Sequence, residues 1–453
     1  MFLGNTLNSA ASGLDSIERQ IALLSQNVAN ANTPNYVRQT LPLSSLDTAG
    51  GPAGVRVGLA TRSMDEHLQG QVFTAIGTES GSVTTQSALA GIDQIAGKPG
   101  NGQDLSSLLG AVRDSFSTLA NDPASGSQQL DVLDKAGALT NGLHTIGTGL
   151  VQARQTAQDT LVKDVVTVND SLHAVGVLSD QIIATKASGQ STADLENQRD
   201  GEKRTLAELT GARFVTQSNG DLLVLAGNSP LSTRAKTGPL SIGNANFSGG
   251  TPAASVPPLK LDDFAVAGLG GKIGANLALR DTTVPALQST LDKFAQSLAS
   301  SFQGQGLPLF TDPSGAVPTT ATAGFAITIQ VSATAKANPA VVRDGTGTPG
   351  AAGDSTVINN VLNNVFTSSS TGLSTQASSL VAGYAQQASQ AQAQVTTNTA
   401  VRSGLETRLA AVTGVSVDSE LAHMVQLQAA YAANAKVLTA VQAMWNQLLQ
   451  VVQ

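Results

Sequence analysis

Leu7, Leu14, Ile17, Ile21, Leu24 and Val28 follow one another at intervals of 7, 3, 4, 3 and 4 residues, and Ala10 fills the open place between the first two. Apolar side chains at this spacing line one side of a helix and predict a heptad-seamed, amphipathic helix over roughly 7–29. The same period returns far along the chain. Met424, Tyr431, Leu438, Trp445 and Val452 are seven apart, Leu421 and Leu449 stand on an adjoining row, and Leu427, Val441 and Leu448 on another. Segments near chain ends fray unless something holds them. The two seams therefore predict helices that pair with each other or with copies in neighbouring molecules.

Three further stretches carry the helical period. One covers 103–187, broken near "NDPASG", with Leu161, Val165, Val168, Leu172, Val175 and Ile182 on one face. A second covers 273–302, with Leu277, Val284, Leu291 and Leu298 seven apart, and a third covers 374–412. They predict a bundle of long helices assembled from distant parts of the chain. Two stretches read as β. "ARFVTQSNGDLLVLAG" (212–227) has two apolar runs around Asn219-Gly220, both tolerant of φ > 0, which predicts a hairpin. "FAITIQV" (325–331) alternates apolar and small or polar residues, the period of a half-buried strand. Helices that enclose strands imply a β region inserted into a helical one, with the chain ends brought together.

The first helix runs into "VANANTPNYVRQ" (28–39). Pro34 has no N–H to donate and pushes Thr33 out of the helical region, so the helix must stop near residue 30. Asn30, Asn32 and Asn35 tolerate left-handed backbone and can bond their own neighbouring amides. The expected product is a defined polar turn that sets Tyr36 at a fixed angle.

Composition narrows the chemistry. The chain has 453 residues, 41% apolar but only 3% aromatic, so alanine, leucine and valine must fill the core. With no cysteine, neither disulfides nor thiolate chemistry is open to it. The formal charge is −7 with scattered lysines and arginines, which argues against nucleic acid as a partner. No run of about 18 apolar residues exists to span a membrane. No lysine or arginine precedes Arg19, so no cleaved secretory signal is expected.

Catalytic arrangements are missing. His67, His144, His173 and His423 are solitary, and no H-E-x-x-H or G-x-S-x-G occurs. "GLGGKIG" (268–274) departs from a phosphate loop, since Ile273 follows Lys272 and Val266 stands at the first glycine. In "ADLENQRDGEKRTLAEL" (193–209), Glu196 with Arg199 and Asp200 with Arg204 are spaced to pair along a solvated helix face. Neither a metal nor a cofactor is expected.

"SQNVANANTPNYVRQ" (25–39) resembles the amino-terminal signature of the flagellar rod, hook and hook-associated family, written around A-N-x-x-T-P-G-Y; Asn35 stands where glycine is usual. "DSELAHMVQLQAAYAANAKVLTAVQAMWNQLL" (418–449) resembles that family's carboxy-terminal helix. Three internal stretches resemble the hook-associated protein 1 branch, the junction proteins between hook and filament: 193–214, 270–302 and 105–125.

The resemblance implies a mainly α fold with inserted β. Long terminal coiled-coil helices (1–40 and 413–453) would form an inner tube. A discontinuous helical bundle (41–211, 267–305 and 373–412) would pack around it, and a small outer β domain (212–266 and 306–372) would face outward. It also implies an extracellular structural protein, exported by the type III route without a cleaved signal. The partners implied are copies of itself, the hook protein, the second junction protein (hook-associated protein 3) and a dedicated export chaperone on the C-terminal helix. The expected assembly interface comprises Leu7, Leu14, Ile17, Ile21, Leu24, Val28, Asn30, Asn32, Thr33, Pro34, Tyr36, Arg38, Leu421, Met424, Tyr431, Leu438, Trp445 and Leu449. The rival readings are a hook or rod protein, which shares both terminal motifs, and an axial scaffold that carries a peptidoglycan hydrolase.

Overall fold

The structure is a computed structural model that describes residues 2–33, 36–48, 51–98, 100–235, 237–250, 256–347, 350–366 and 372–451. Within these ranges the side chains of residues 2, 3, 48, 51–53, 448, 449 and 451 are not described. The chain opens with α1 (Phe2–Ala29), β1 (Gln39–Thr40), β2 (Leu43–Thr48), β3 (Gly51–Val57) and β4 (Thr61–Arg62). Four helices follow, α2 (Glu66–Ala96), α3 (Leu105–Asn121), α4 (Gly126–Ala187) and α5 (Ala193–Thr210). Then come β5 (Arg213–Thr216), β6 (Leu222–Ala226), β7 (Ser229–Leu231), β8 (Leu240–Ser241), β9 (Lys260–Leu261) and β10 (Phe264–Ala265). Helix α6 (Gly271–Ala278) passes through a π turn (Leu279–Thr283) into α7 (Val284–Gln303). A run of short elements comprises β11 (Phe310–Thr311), α8 (Phe325–Thr328), β12 (Gln330–Val331), α9 (Ala333–Ala337), α10 (Val341–Asp344) and α11 (Thr356–Asn364). Two long helices close the order, α12 (Leu373–Thr413) and α13 (Val417–Val451). The mainly helical expectation with small antiparallel sheets holds.

The chain forms two compact units. The first comprises Met1–Gly77, Val168–Pro239 and Ala400–Gln453, the second Thr78–Thr167 and Leu240–Thr399.

In the first unit α1 packs against α13 and against β3 of the β2–β3 hairpin. Gly54, at φ +135°, sits where a Cβ would lie 2.2 Å from Ser12 Oγ, so only glycine lets the hairpin approach α1. The Val55 N–H then donates to Ser12 Oγ at 3.2 Å. β5, β6 and β7 form an antiparallel sheet whose central strand buries Leu222, Val224 and Ala226, a strict alternation. Helix α5 ends at Gly211 in the left-handed region. A Cβ on Gly77 of α2 would lie 2.7 Å from the Ala207 carbonyl and 2.9 Å from Gly211 Cα, so both glycines permit the crossing. Val72, Phe73, Ile76 and Ala207 form the small core there, with Phe214, Leu405 and Leu409 against it.

The second unit has the large core. Leu105, Leu109, Val112, Phe116 and Leu119 of α3 are buried at helical spacing. They meet α4, α7, α11 and α12. Asp104 caps α3, accepting from the Ser106 and Ser107 amides. Phe302 stands among Phe116, Phe310 and Phe366, with ring centroids 5.9, 5.1 and 5.9 Å away. Arg280 of the π turn is 2% exposed, bound to Asp281 and, at 2.7 Å, to Gln158 Oε1.

Several expectations change. The 212–227 hairpin forms as β5–β6, but over the loop 217–221, and only Gly220 takes positive φ. Residues 325–331 are not one strand: they split into the helical turn α8 and the two-residue β12. The buried Asp292 carboxylate accepts the Gly324 and Ala326 amides, which starts a helical turn where local alternation favoured a strand. The apolar pattern does not predict helix α2 or the β2–β3 hairpin. The middle of α2, "GTESGSVTTQS", breaks the apolar stripe that Val72, Phe73, Ile76, Leu89 and Ile92 carry at either end.

Candidate functional site

The site is the place in the first unit where α1 stops and α13 begins. Asn30 N still donates to the Gln26 carbonyl at 3.1 Å; then the bonds shorten in reach, Ala31 to Val28, Thr33 to Asn30 and Tyr36 to Thr33. The helix unwinds through tight turns. Asn30 Nδ2 bonds the Gln26 carbonyl, and Thr33 Oγ1 bonds Asn30 Oδ1. Asn30 and Asn32 do not adopt left-handed backbone; among the described non-glycine residues only Asp262 and Asp263 do. The side-chain bonds of Asn30 act instead of the expected backbone tolerance. Pro34 and Asn35 lie outside the described residues.

The decisive asparagine is one the signature left unremarked. Asn27, 1% exposed, uses its whole carboxamide. Oδ1 accepts the Tyr36 hydroxyl at 2.9 Å and the Gln39 N–H at 3.1 Å, while Nδ2 donates to the Gln39 carbonyl at 3.0 Å and Glu420 Oε2 at 3.4 Å. One side chain thus pairs both backbone groups of Gln39 as a neighbouring strand would. Glu420, equally buried, lies in the first turn of α13, where the helix dipole favours a carboxylate. Its Oε1 pairs with Arg38 Nε. Arg38 N donates to the Thr413 carbonyl at 2.9 Å, and the Ser63 N–H donates to the Arg38 carbonyl at 2.8 Å. Burial, with the Asp194 and Glu420 charges behind it, pushes the Tyr36 phenol up to about 12.

The polar contacts continue into α5. Gln39 Nε2 reaches Asp194 at 2.9 Å. Arg62 of β4 pairs with Glu196 and Asp200. Asp200 also accepts from Gln69 Nε2 and Lys203 Nζ, both at 2.8 Å, and Lys203 lies over the Phe73 ring. Burial would raise the Asp200 carboxyl, but Lys203 and Arg62 outweigh it and hold the group below its usual range. Burial pushes the Lys203 ammonium down. The expected pairs Glu196–Arg199 and Asp200–Arg204 are not the ones formed. Arg199 points inward to Ser179 and the Gly220 carbonyl, and Arg204 pairs with Glu406. This stretch is a buried charge cluster, not a solvated face, because β4, α2 and α12 supply partners that local spacing cannot show.

The seam between α1 and α13 buries Ala10, Ile17, Leu24, Leu427 and Val441, with Ile21 and Met424 packed alongside. Its centre on α13 is the row Glu420–Leu427–Asn434–Val441, about 40° round the helix from the Met424 row. Leu14, Val28, Tyr36, Arg38 and Leu438 are half-buried, and Asn32 and Thr33 exposed. Leu7, Leu421, Tyr431 and Trp445 remain exposed, the last at 53%. Tyr431 donates to Glu18 at 3.2 Å across a groove of 490 Å³. The side chain of Leu449 lies outside the described residues.

Among the described residues no group of three His, Cys, Asp or Glu could hold a metal ion, and no helix is long and apolar enough to cross a membrane. His144 Nε2 lies 2.6 Å from the Ile329 carbonyl and His67 3.1 Å from Gln71.

Residues 89–307 match the family described as "Flagellar hook-associated protein FlgK helical domain", and residues 411–451 match "Flagellar basal body rod FlgEFG protein C-terminal". Flagellar hook-associated protein 1 of Salmonella typhimurium is 23% identical over 327 residues, which cover 67% of this chain and 56% of that protein. Its counterpart in Escherichia coli K12 is 24% identical over 326 residues, covering 67% and 57%. The chain thus spans little more than half the length of these curated relatives. The structure of the flagellar hook junction protein FlgK from Burkholderia pseudomallei is 25% identical, with a TM-score of 0.44, over 55% of this chain and 45% of that one.

A discontinuous helical fold in which α1 pairs with α13, joined to these matches, sets the chain beside the hook-associated and rod proteins of the bacterial flagellum. Over residues 89–307 the chain resembles the hook-associated protein FlgK family.

Proposed function

We propose that the chain is an axial subunit of the flagellum that joins hook to filament outside the cell and assembles through its terminal helices after type III export. The observation that carries this is the one-sided burial of α13. Its pairing with α1 covers Leu427 and Val441 but leaves Leu421, Val425, Tyr431, Met444 and Trp445 exposed along the same helix. A helix with this much uncovered apolar surface fits a site between neighbouring helices of other subunits. The interface residues are those named from the signature, and Asn27 and Glu420 join them as the groups that set the angle between α1 and the chain after it.

On this reading residues 1–40 and 413–453 form the inner tube. The partners are further copies of the chain, the hook protein, the second junction protein (hook-associated protein 3) and an export chaperone that holds the C-terminal helix. Gene deletion with electron microscopy tests the function. Hooks without filaments, with filament protein lost to the medium, are the expected result. The match of 411–451 to the rod family favours a second reading, a rod or hook subunit; loss of the hook itself would establish that one and overturn the first.

A further inference from the structure

The chain has three Asn–Gly pairs, at Asn101, Asn141 and Asn219. An Asn–Gly peptide can close on itself, because glycine puts no Cβ in the way of its own nitrogen. We propose that Asn101 is a self-modifying site, converted in the folded protein to aspartate and isoaspartate by attack of the Gly102 nitrogen on the Asn101 carboxamide carbon.

The geometry separates the three sites. At Asn101, in the loop between α2 and α3, Oδ1 accepts the N–H groups of Gln103 at 3.0 Å and Asp104 at 3.2 Å. The side chain is therefore folded back over the peptide that follows it. Two backbone donors also aim at the oxygen where negative charge develops in the tetrahedral intermediate, the arrangement of an oxyanion hole. Gly102 is at φ +83°, and among the described residues no acceptor takes its N–H. Both residues are exposed, so water reaches the ring that forms. Asn219 has one donor on Oδ1, from Asp221 at 2.9 Å. Its nucleophile is occupied, since Gly220 N donates to the Gln217 carbonyl at 2.9 Å, and Arg199 holds the Gly220 carbonyl at 2.7 Å. Asn141 lies inside α4, whose helical backbone keeps the Gly142 nitrogen away from the side chain.

The step balances with water alone. The Gly102 nitrogen loses its proton and bonds to Asn101 Cγ; the Cγ–Nδ2 bond breaks and nitrogen leaves as ammonia. Water then opens the succinimide at either carbonyl, which leaves a carboxylate and an ordinary or a β-linked backbone. Nothing is oxidised or reduced. The product adds one negative charge beside Asp104, whose carboxylate holds the Gly100, Ser106 and Ser107 amides at the start of α3. The β-linked form also inserts a methylene into the backbone next to that cap.

The test is a time course at mildly alkaline pH, read by peptide mass mapping and by isoaspartyl methyltransferase labelling, on folded protein and on protein in urea. In the folded protein Asn101 should convert several-fold faster than Asn219, Asn141 should stay unchanged, and the Asn101 rate should rise with pH. In urea the three rates should converge. Gly102→Ala should abolish labelling at 101, and Gly220→Ala should leave it unaltered. Gln103→Pro, which removes one donor, should slow it while circular dichroism shows the helices retained. The same ratio of rates in folded and urea-treated protein, faster conversion at Asn219, or no slowing in a folded Gln103→Pro would overturn the proposal.

Discussion

The core of the second unit and the α1–α13 junction of the first are built from the same residue types, but they satisfy them differently. In the core, Phe116, Phe302 and Phe310 are fully buried against one another and against leucines of α3, α4 and α7. At the junction, the seam is one row of side chains wide, and the strongest contacts are polar: Asn27, Glu420 and the cluster on Asp200. Apolar packing confers stability without direction, whereas hydrogen bonds fix an angle and a register. One region is self-sufficient; the other is geometrically specified yet leaves apolar surface for others to cover.

The largest effects should fall where burial is complete. Phe302→Ala removes a ring from the aromatic cluster and should cost ~3–5 kcal/mol in urea or thermal unfolding. Asp200→Asn should rival it at about 3–5 kcal/mol, because Arg62 and Lys203 would stay buried without their carboxylate. A loss under about 1 kcal/mol would mean that the cluster is hydrated, and the contrast with a packed core would weaken.

The same carboxylate sets an acid limb. Its folded pKa lies below the unfolded value, about 3.9, so its stabilisation is complete above that value and is lost as pH falls through the folded one. Unfolding measured from neutral pH downward should stay level until about pH 4 and then fall, and Asp200→Asn should flatten that fall.

A smaller, local effect is expected at the turn. Glu420→Gln removes the charge opposite Arg38, which is a third exposed, so the cost should be about 1–2 kcal/mol. Hydrogen exchange should speed up at residues 36–39 with the second unit unchanged. Equal loosening of both units would dissolve the distinction.

Tyr36 provides a finer probe. With a folded pKa of about 12 against the usual 10, it stabilises the folded state fully below 10 and loses that contribution as pH rises through 12. Burial raises the Tyr384 phenol as well, so ultraviolet titration should show late-ionising phenols of which Tyr36→Phe removes one, at a cost of ~0.5–1.5 kcal/mol. Smallest of all, Trp445→Ala should change monomer stability by no more than ~0.5 kcal/mol, while filament counts in cells that carry it should drop.

Except for α2, the long helices were legible in the chain because a repeat of 3.6 residues is a local property, carried by Leu105–Leu119, Val284–Leu298 and the two terminal seams. So was the place of the helix stop, near residue 30, where α1 ends at Ala29. Tertiary structure decided what depends on partners far away in sequence. It chose the Leu427 row over the Met424 row as the centre of the seam, and it turned the 193–209 charges inward onto Arg62 and Gln69. Residues 325–328 became helical because Asp292, more than thirty residues earlier, accepts two of their amides. It also singled out Asn27 and Glu420, 393 positions apart. Local spacing reports which side chains share a face; which of them is buried, and against what charge, depends on contacts that form only when the chain has folded.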